Sequence, residues 1–187
     1  MARKRTALRE WREQKRERVA DCRVFSVERS TAVSPVDGDS HAFYRIQSAD
    51  WVQVLPITAK GEAVLVRQYR HGSQRLTLEI PGGILDPGED PAAAALRECL
   101  EETGYRATTA ISLGVVNPNP ALFANRLHGF FARDAVPERA VQNTGTEVTE
   151  CVLVPLRDLE QLLLSGEIEH ALVACTLWRY LHLHGSG

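Results

Sequence analysis

Apolar and polar residues alternate along the first quarter of the chain. Residues 22–33 alternate and are rich in β-branched side chains, residues 34–39 are turn formers, and residues 41–46 are again extended in character, which predicts a β-hairpin. Ahead of it, residues 3–18 interleave Arg and Lys with Glu, a pattern typical of a solvated helix with i,i+4 ion pairs. We therefore predict a charged helical leader followed by a hairpin.

Three further strand patterns follow the hairpin. Residues 51–57 and 62–69 are both apolar and β-branched, and the four residues Thr58–Gly61 separate them, so we expect these two strands to pair. Residues 75–80 form a shorter extended segment that ends at a Pro-Gly-Gly turn. Strands thus fill most of the chain up to residue 80.

The best-defined helix covers residues 91–103. This segment has no internal Gly or Pro and is rich in Ala, Leu, Glu and Arg. Asp90 stands at the N-cap position, Pro91 at the first helical position, and Gly104 where the helix should end. Both ends of the helix can therefore be placed from the sequence.

The remainder of the chain mixes strands and helices without a regular alternation. Residues 107–116, 126–132 and 150–154 look extended, while residues 157–164 and 170–182 have helical spacing of Leu, Val and Trp. This order favours an α/β (α+β) sandwich, with a mixed sheet between helices, over a doubly wound parallel sheet.

Composition and charge exclude several classes of protein. A chain of 187 residues is long enough for one domain with a small appendage. With 22 Lys and Arg against 24 Asp and Glu, it lacks the basic field of a dedicated nucleic-acid binder, and no apolar run approaches the length of about 20 residues that crosses a bilayer. The basic first residues do not lead into an apolar segment, so a cytoplasmic location is expected.

The last turns of the 91–103 helix carry candidate chemistry. Glu98, Glu101 and Glu102 are three and four residues apart, so their carboxylates share one face near the negative end of the helix dipole. Such a cluster calls for a cation, and carboxylate ligands favour Mg²⁺, with Mn²⁺ as a substitute. A carbonyl of the glycine loop, at Gly82, could add a ligand, and Arg97 could pair with Glu101.

Taken alone, three glutamates at this spacing more often decorate a solvated helix face. The complete segment, however, resembles the Nudix box at every defined position. The matching residues are Gly83, Glu89, Arg97, Glu98, Glu101, Glu102 and Gly104, with Cys99 and Tyr105 at the bulky apolar positions.

This resemblance implies a Nudix fold and hydrolysis of a nucleoside diphosphate that is linked to another group. It also implies that Glu98 and Glu102 bind Mg²⁺ together with the Gly82 carbonyl, that Glu101 binds or bridges metal ions, and that Arg97 supports catalysis. Two alternatives stay open: a nucleoside triphosphate or dinucleoside polyphosphate hydrolase, and a non-catalytic Nudix module that senses a nucleotide sugar.

Residues 66–70 and 78–83 resemble the ADP-ribose pyrophosphatase and nucleotide-sugar hydrolase branch of the family. The resemblance implies that Arg70 contacts substrate phosphate and that Glu79 helps to place the nucleotide or ribose. It also implies a catalytic glutamate in a loop after the box, for which Glu147 is the first candidate and Glu150 the second. Further candidate substrate-binding residues are Trp51, Arg67, Asn119 and Arg126, whereas His128 is expected to be a hydrogen-bonded structural residue.

Members of this branch usually form homodimers by exchange of N-terminal strands. We therefore expect two regions, a leader and dimerising hairpin at residues 1–48 and a Nudix hydrolase domain at residues 49–187. A two-stranded hairpin is marginal by itself and would gain stability by packing on a second copy.

Overall fold

The computed structural model describes residues 8–143 and 148–184. The chain divides into two compact units. The smaller unit comprises Met1–Ser48 and Asn119–Asn125, and the larger unit comprises Ala49–Pro118 and Arg126–Gly187.

The smaller unit contains a three-stranded antiparallel sheet in the order β1-β2-β3. Strands β2 (Ser26–Val33) and β3 (Ser40–Gln47) form the predicted hairpin. Strand β1 (Arg12–Asp21) pairs with β2 along its length. The segment Asn119–Asn125 joins this unit because Ile46 exchanges backbone hydrogen bonds with Leu122 and Ala124, at 2.7 and 3.2 Å.

The helical prediction for the leader is wrong for residues 12–18, which lie in β1. Isolated i,i+4 ion pairs stabilise a helix only weakly, whereas a strand beside β2 satisfies its backbone groups through the ladder. The charges also pair across the strands, because Arg16 lies 3.8 Å from Glu28 and Arg29 lies 3.5 Å from Glu17. Residues 3–7 of the predicted helix lie outside the described residues.

The larger unit holds two main sheets and a small ribbon. One sheet has the order β7-β4-β10-β9, in which β4 and β10 are parallel, and the other is antiparallel with the order β12-β5-β6. Strands β8 and β11 form the ribbon. The strands are β4 (Trp51–Pro56), β5 (Glu62–Arg70), β6 (Arg75–Glu79), β7 (Gly82–Ile84), β8 (Tyr105–Arg106), β9 (Ala110–Val116), β10 (Leu127–Ala132), β11 (Val136–Pro137) and β12 (Thr149–Pro155).

In the described part of the chain, three helices cover the two main sheets: α1 (Pro91–Thr103), α2 (Leu159–Ser165) and α3 (Ala171–His184). On one side, Val54 of β4 and Val64 of β5 pack with Ala95 of α1. On the other side, Leu55 and Leu65 of the same strands pack with the residues of α2 and α3. Because neighbouring strand residues face opposite sides, this arrangement gives the expected α/β sandwich with a mixed sheet.

The predicted pairing of residues 51–57 with 62–69 is wrong. The two strands lie in different sheets and meet at a bridge between Ile57 and Ala63. Both strands are buried on both faces, and each has strand neighbours on two sides, β7 and β10 for β4, and β12 and β6 for β5. The partners β10 and β12 come from distant parts of the chain, so the turn at residues 58–61 did not determine the pairing.

Among the described residues, no helix combines the length and the apolar character needed to span a membrane.

Candidate active site

Helix α1 is fixed at both ends as the sequence predicts. The Asp90 side chain accepts hydrogen bonds from the backbone of Ala92 and Ala93 at 3.1 and 3.0 Å. Gly104 ends the helix with φ 72°, a left-handed conformation that glycine adopts without a steric penalty. The buried face of α1 thereby sets the direction of Glu98, Glu101 and Glu102 in its last two turns.

The glycine loop lies directly against these carboxylates. Gly82 and Gly83 belong to β7, and the Gly82 N–H donates to Glu102 Oε2 at 2.8 Å. A Cβ atom at Gly83 would overlap the Glu98 carboxylate, and one at Gly82 would overlap the backbone of β4. Two glycines are therefore required for the loop to approach α1 this closely.

Arg97 joins three of the acidic residues. Its guanidinium binds Glu89 through two hydrogen bonds of 3.0 and 3.1 Å, and Nη1 donates to Glu98 at 2.8 Å and to Glu101 at 3.1 Å. The hydrogen bonds to Glu89, first, and to Glu98 raise the pKa of Arg97 above its usual value, and Arg97 in turn lowers the pKa of Glu89. Arg97 supplies positive charge to the cluster in this structure.

Within residues 8–143 and 148–184, no three His, Cys, Asp or Glu side chains are arranged as a ready-made metal site. Glu98 and Glu101 turn toward Arg97, and Glu102 turns toward Gly82. The three glutamates thus lie around Arg97 and the glycine loop, and one oxygen of each accepts a hydrogen bond from a protein donor.

Arg70 and Glu79 form a two-pronged ion pair. Arg70 Nε and Nη2 donate to the two Glu79 oxygens at 2.8 and 2.7 Å, and Thr77 donates to Oε1 at 2.7 Å. Glu79 is 0% exposed, whereas the Arg70 side chain is 42% exposed. Burial acts to raise the pKa of Glu79, but the hydrogen bonds from Arg70 and Thr77 outweigh it and lower that pKa, so the carboxylate is ionised.

A cleft of about 270 Å³ opens in the larger unit beside this ion pair and the glycine loop. It brings together the predicted residues Trp51, Arg70 and Gly82. The complete lining is Trp51, Val52, Gln53, Arg70, Gly82, Gly83, Ile84, Leu127, His170 and Leu172.

Several other predicted residues have different surroundings. Arg67 pairs with Glu150 across β5 and β12 at 3.6 Å. Asn119 lies in the smaller unit, where its Oδ1 accepts from the Ala121 N–H at 3.1 Å in a turn. The exposed Arg126 is held through its backbone N–H, which donates to Asp50 at 2.7 Å. None of these three residues lines the cleft.

Two predicted residues remain, His128 and Glu147. His128 Nε2 is 3.1 Å from Asp50 Oδ2, so it is hydrogen-bonded as expected. Glu147 lies outside the described residues.

Sequence reasoning missed two polar residues of the cleft, Gln53 and His170. Gln53 sits within an apolar strand, and its Oε1 accepts a hydrogen bond of 3.4 Å from Thr176 of α3. A buried Gln in such a strand was a usable signal, because buried polar groups need partners. His170 precedes α3 and had no comparable signal, since histidine is not a preferred N-cap residue.

The sandwich fold, the carboxylate helix and the adjoining glycine loop agree with a family model. The NUDIX domain model matches residues 49–175, and the chain belongs to this family. The protein is a Nudix hydrolase.

The relatives include hydrolases that are named for ADP-ribose and other ADP compounds. The chain is 35% identical over 133 residues to an ADP-ribose pyrophosphatase of Bacillus subtilis, with 71% of each chain covered. It is 29% identical over 157 residues to the ADP compounds hydrolase NudE of Escherichia coli, with 83% of each covered. A crystal structure of an ADP compounds hydrolase superposes with a TM-score of 0.84 at 26% identity, covering 97% of this chain and 98% of the other.

Proposed function

We propose that the protein hydrolyses the pyrophosphate bond of ADP-ribose or another nucleoside diphosphate sugar, releasing a nucleoside monophosphate and a sugar phosphate. The observation that carries this proposal is the cleft in which Arg70, held by buried Glu79, faces the glycine loop that touches the carboxylates of α1. The activities named for the Bacillus and Escherichia relatives support the same substrate class.

The donor set at α1 fits a hard divalent cation, and we assign this role to Mg²⁺, with Mn²⁺ as a substitute. Glu98, Glu101, Glu102 and the Gly82 carbonyl would hold the ion. The loop can come this near to Glu98 because Gly83 has no Cβ atom, which would overlap the Glu98 carboxylate. When bound, the ion polarises the diphosphate and assists the ionisation of water. Arg97 keeps Glu98 and Glu101 oriented.

Arg70, which lines the cleft with its side chain 42% exposed, would bind a phosphate oxygen through its guanidinium. In that position its charge would offset the negative charge that develops on the bridging oxygen as the P–O bond breaks. Glu147 is proposed as the general base that takes the proton of the attacking water, because Glu150 already pairs with Arg67.

The proposal is tested by a hydrolysis panel with Mg²⁺ that contains ADP-ribose, ADP-glucose, ATP and a dinucleoside polyphosphate. We expect the two sugar substrates to have the highest kcat/KM. Glu102→Gln should lower kcat by at least about 100-fold, because a metal ligand is lost. Glu160→Gln, an exposed carboxylate of α2, serves as the matched control.

Three results would contradict the proposal. A preference for ATP or the dinucleoside polyphosphate would favour the alternative hydrolases, and an inactive parent protein would favour a binding module. In the same assay, a greater loss of kcat for Glu150→Gln than for Glu147→Gln would exclude Glu147 as the base.

We further propose that two copies form a homodimer through the smaller unit, with residues 1–48 as a dimerising extension of a catalytic domain at residues 49–187. Phe43 and Tyr44 are neighbours in β3 and therefore point to opposite faces of the sheet, yet they are 44% and 56% exposed. A second copy that packs on one face of this sheet would cover one of these two side chains. A cytoplasmic location is also proposed, since all four cysteines are free thiols.

A further inference from the structure

His170 occupies a junction between the cleft and helix α3. The residue lines the cleft together with Arg70 and Gly82. Its Nδ1 accepts hydrogen bonds from the backbone N–H groups of Leu172 and Val173 at 3.2 and 3.5 Å, so the ring caps the first turn of α3. The side chain is thus directed by the helix that follows it.

The residues just before His170 are also fixed. Ile168 is 2% exposed, and its N–H donates to the Leu162 carbonyl of α2 at 3.1 Å. Glu169 accepts a hydrogen bond of 3.2 Å from Arg75 at the start of β6. His170 is therefore held between a buried anchor and a capped helix, and its ring has a defined position in the cleft wall.

The cap also determines which ring nitrogen can donate. A nitrogen that accepts from a backbone N–H carries no proton, so the neutral ring has its proton on Nε2. The ring lies in the same cleft as Arg70, whose guanidinium is held by Glu79. An oriented N–H donor thus stands near the residue that is proposed to bind phosphate.

We propose that His170 is a substrate-binding residue whose Nε2–H donates a hydrogen bond to an oxygen of the substrate diphosphate, beside Arg70. This inference rests on the proposed function. The interaction exists in the bound substrate and in the transition state alike, so it acts on KM and leaves kcat nearly unchanged.

Two substitutions separate the capping of α3 by the ring from its proposed hydrogen bond to the substrate. His170→Ser keeps a good N-cap side chain but removes the Nε2 donor, whereas His170→Ala removes both. His182→Ser, at an exposed position in the last turn of the same helix, is the matched control. We expect the KM for ADP-ribose to rise about five- to ten-fold in both His170 variants, with kcat within about two-fold of the parent. The midpoint of thermal unfolding should fall clearly in His170→Ala alone.

Inhibition by ADP identifies the part of the substrate that is bound, because ADP retains the diphosphate but lacks the second sugar. The inhibition constant of ADP should rise in His170→Ser by the same factor as the KM for ADP-ribose. If the inhibition constant of ADP is unchanged while the KM for ADP-ribose rises, His170 contacts the second ribose instead of the diphosphate, and the inference is overturned.

Two other outcomes would also overturn it: an unchanged KM in His170→Ser, or a loss confined to kcat. The failure of the proposed function would appear separately, as a parent protein that does not hydrolyse ADP-ribose.

Discussion

Glu79 lies entirely inside the protein, with one oxygen bound by Arg70 and the other by both Arg70 and Thr77. The family resemblance implied that Glu79 and Arg70 each contact the substrate. The geometry supports a different division, in which Arg70 faces the cleft and Glu79 holds it there. We therefore propose that Glu79 is a positioning residue that acts through Arg70.

A double-mutant cycle tests this division. Arg70→Ala and Glu79→Gln should each raise the KM for ADP-ribose, by about ten-fold or more for Arg70→Ala, because a charged hydrogen bond to phosphate is lost. The double variant should resemble Arg70→Ala, since a positioning residue has no effect once the residue that it positions is gone.

Thr77→Val is a useful comparison, because it removes a single hydrogen bond to the same carboxylate. Its effect on KM should be smaller than that of Glu79→Gln. Additive losses for Arg70 and Glu79 would instead show that Glu79 contacts the substrate itself.

For single residues, the sequence predicts the position of a side chain in the site where spacing along one helix is sufficient to place it. Glu98 and Glu102 lie on one helix, so their relation follows from its period. His170 could not be found in this way, because its place in the cleft depends on how the segment before α3 packs against α2 and β6. Arg67 was expected at the substrate, but the cross-strand partner Glu150 lies more than eighty positions away in the sequence.

The elements show a similar contrast between local and distant interactions. Asp90, Pro91 and Gly104 define α1 because capping acts within a few residues. Strand β1 has charges that fit a helix equally well, and only the ladder with β2 selects the extended form. The pairing of β4 with β10 and of β5 with β12 was missed for the same reason, since these partners lie far away in the sequence.

The C-cap of α1 allows a quantitative test at the scale of the element. Gly104 and Gly166 both end helices with positive φ, of 72° and 79°. A Cβ at Gly104 would overlap the Arg139 carbonyl oxygen, whereas none of the neighbouring atoms lies within 4 Å of one at Gly166. We expect Gly166→Ala to cost about 1 kcal/mol of unfolding free energy and Gly104→Ala about 3 kcal/mol.

Urea unfolding of the two variants and the parent measures this difference. Equal losses would mean that the left-handed conformation alone matters and that the contact with Arg139 relaxes freely. Because α1 carries the carboxylates that are proposed to bind Mg²⁺, Gly104→Ala should also weaken activation by Mg²⁺, whereas Gly166→Ala should not.

For the molecule as a whole, the proposed homodimer can be tested by a substitution in the smaller unit. The exposed Tyr44 lies on β3, and a charge there should disfavour burial against a second copy. We expect the parent protein to sediment as a dimer at micromolar concentration and Tyr44→Glu to shift it toward monomer. Leu164→Glu, at an exposed position of α2 in the larger unit, is the control and should remain dimeric.

A parent protein that sediments as a monomer at every concentration would contradict the dimer. If Tyr44→Glu remains dimeric, Tyr44 does not lie in the dimer interface.

The central position of β4 has a consequence for the order in which the protein can form. Strand β7, which carries the glycine loop, pairs with one edge of β4, and β10 pairs with the other. During synthesis β7 emerges before β10, so at typical rates of about 5–20 residues per second one edge of β4 lacks its partner for a few seconds. Unpaired edges recruit other strands. The edge of β4 that β10 will cover therefore stays open to other strands after the glycine loop has been made, until Leu127–Ala132 has left the ribosome.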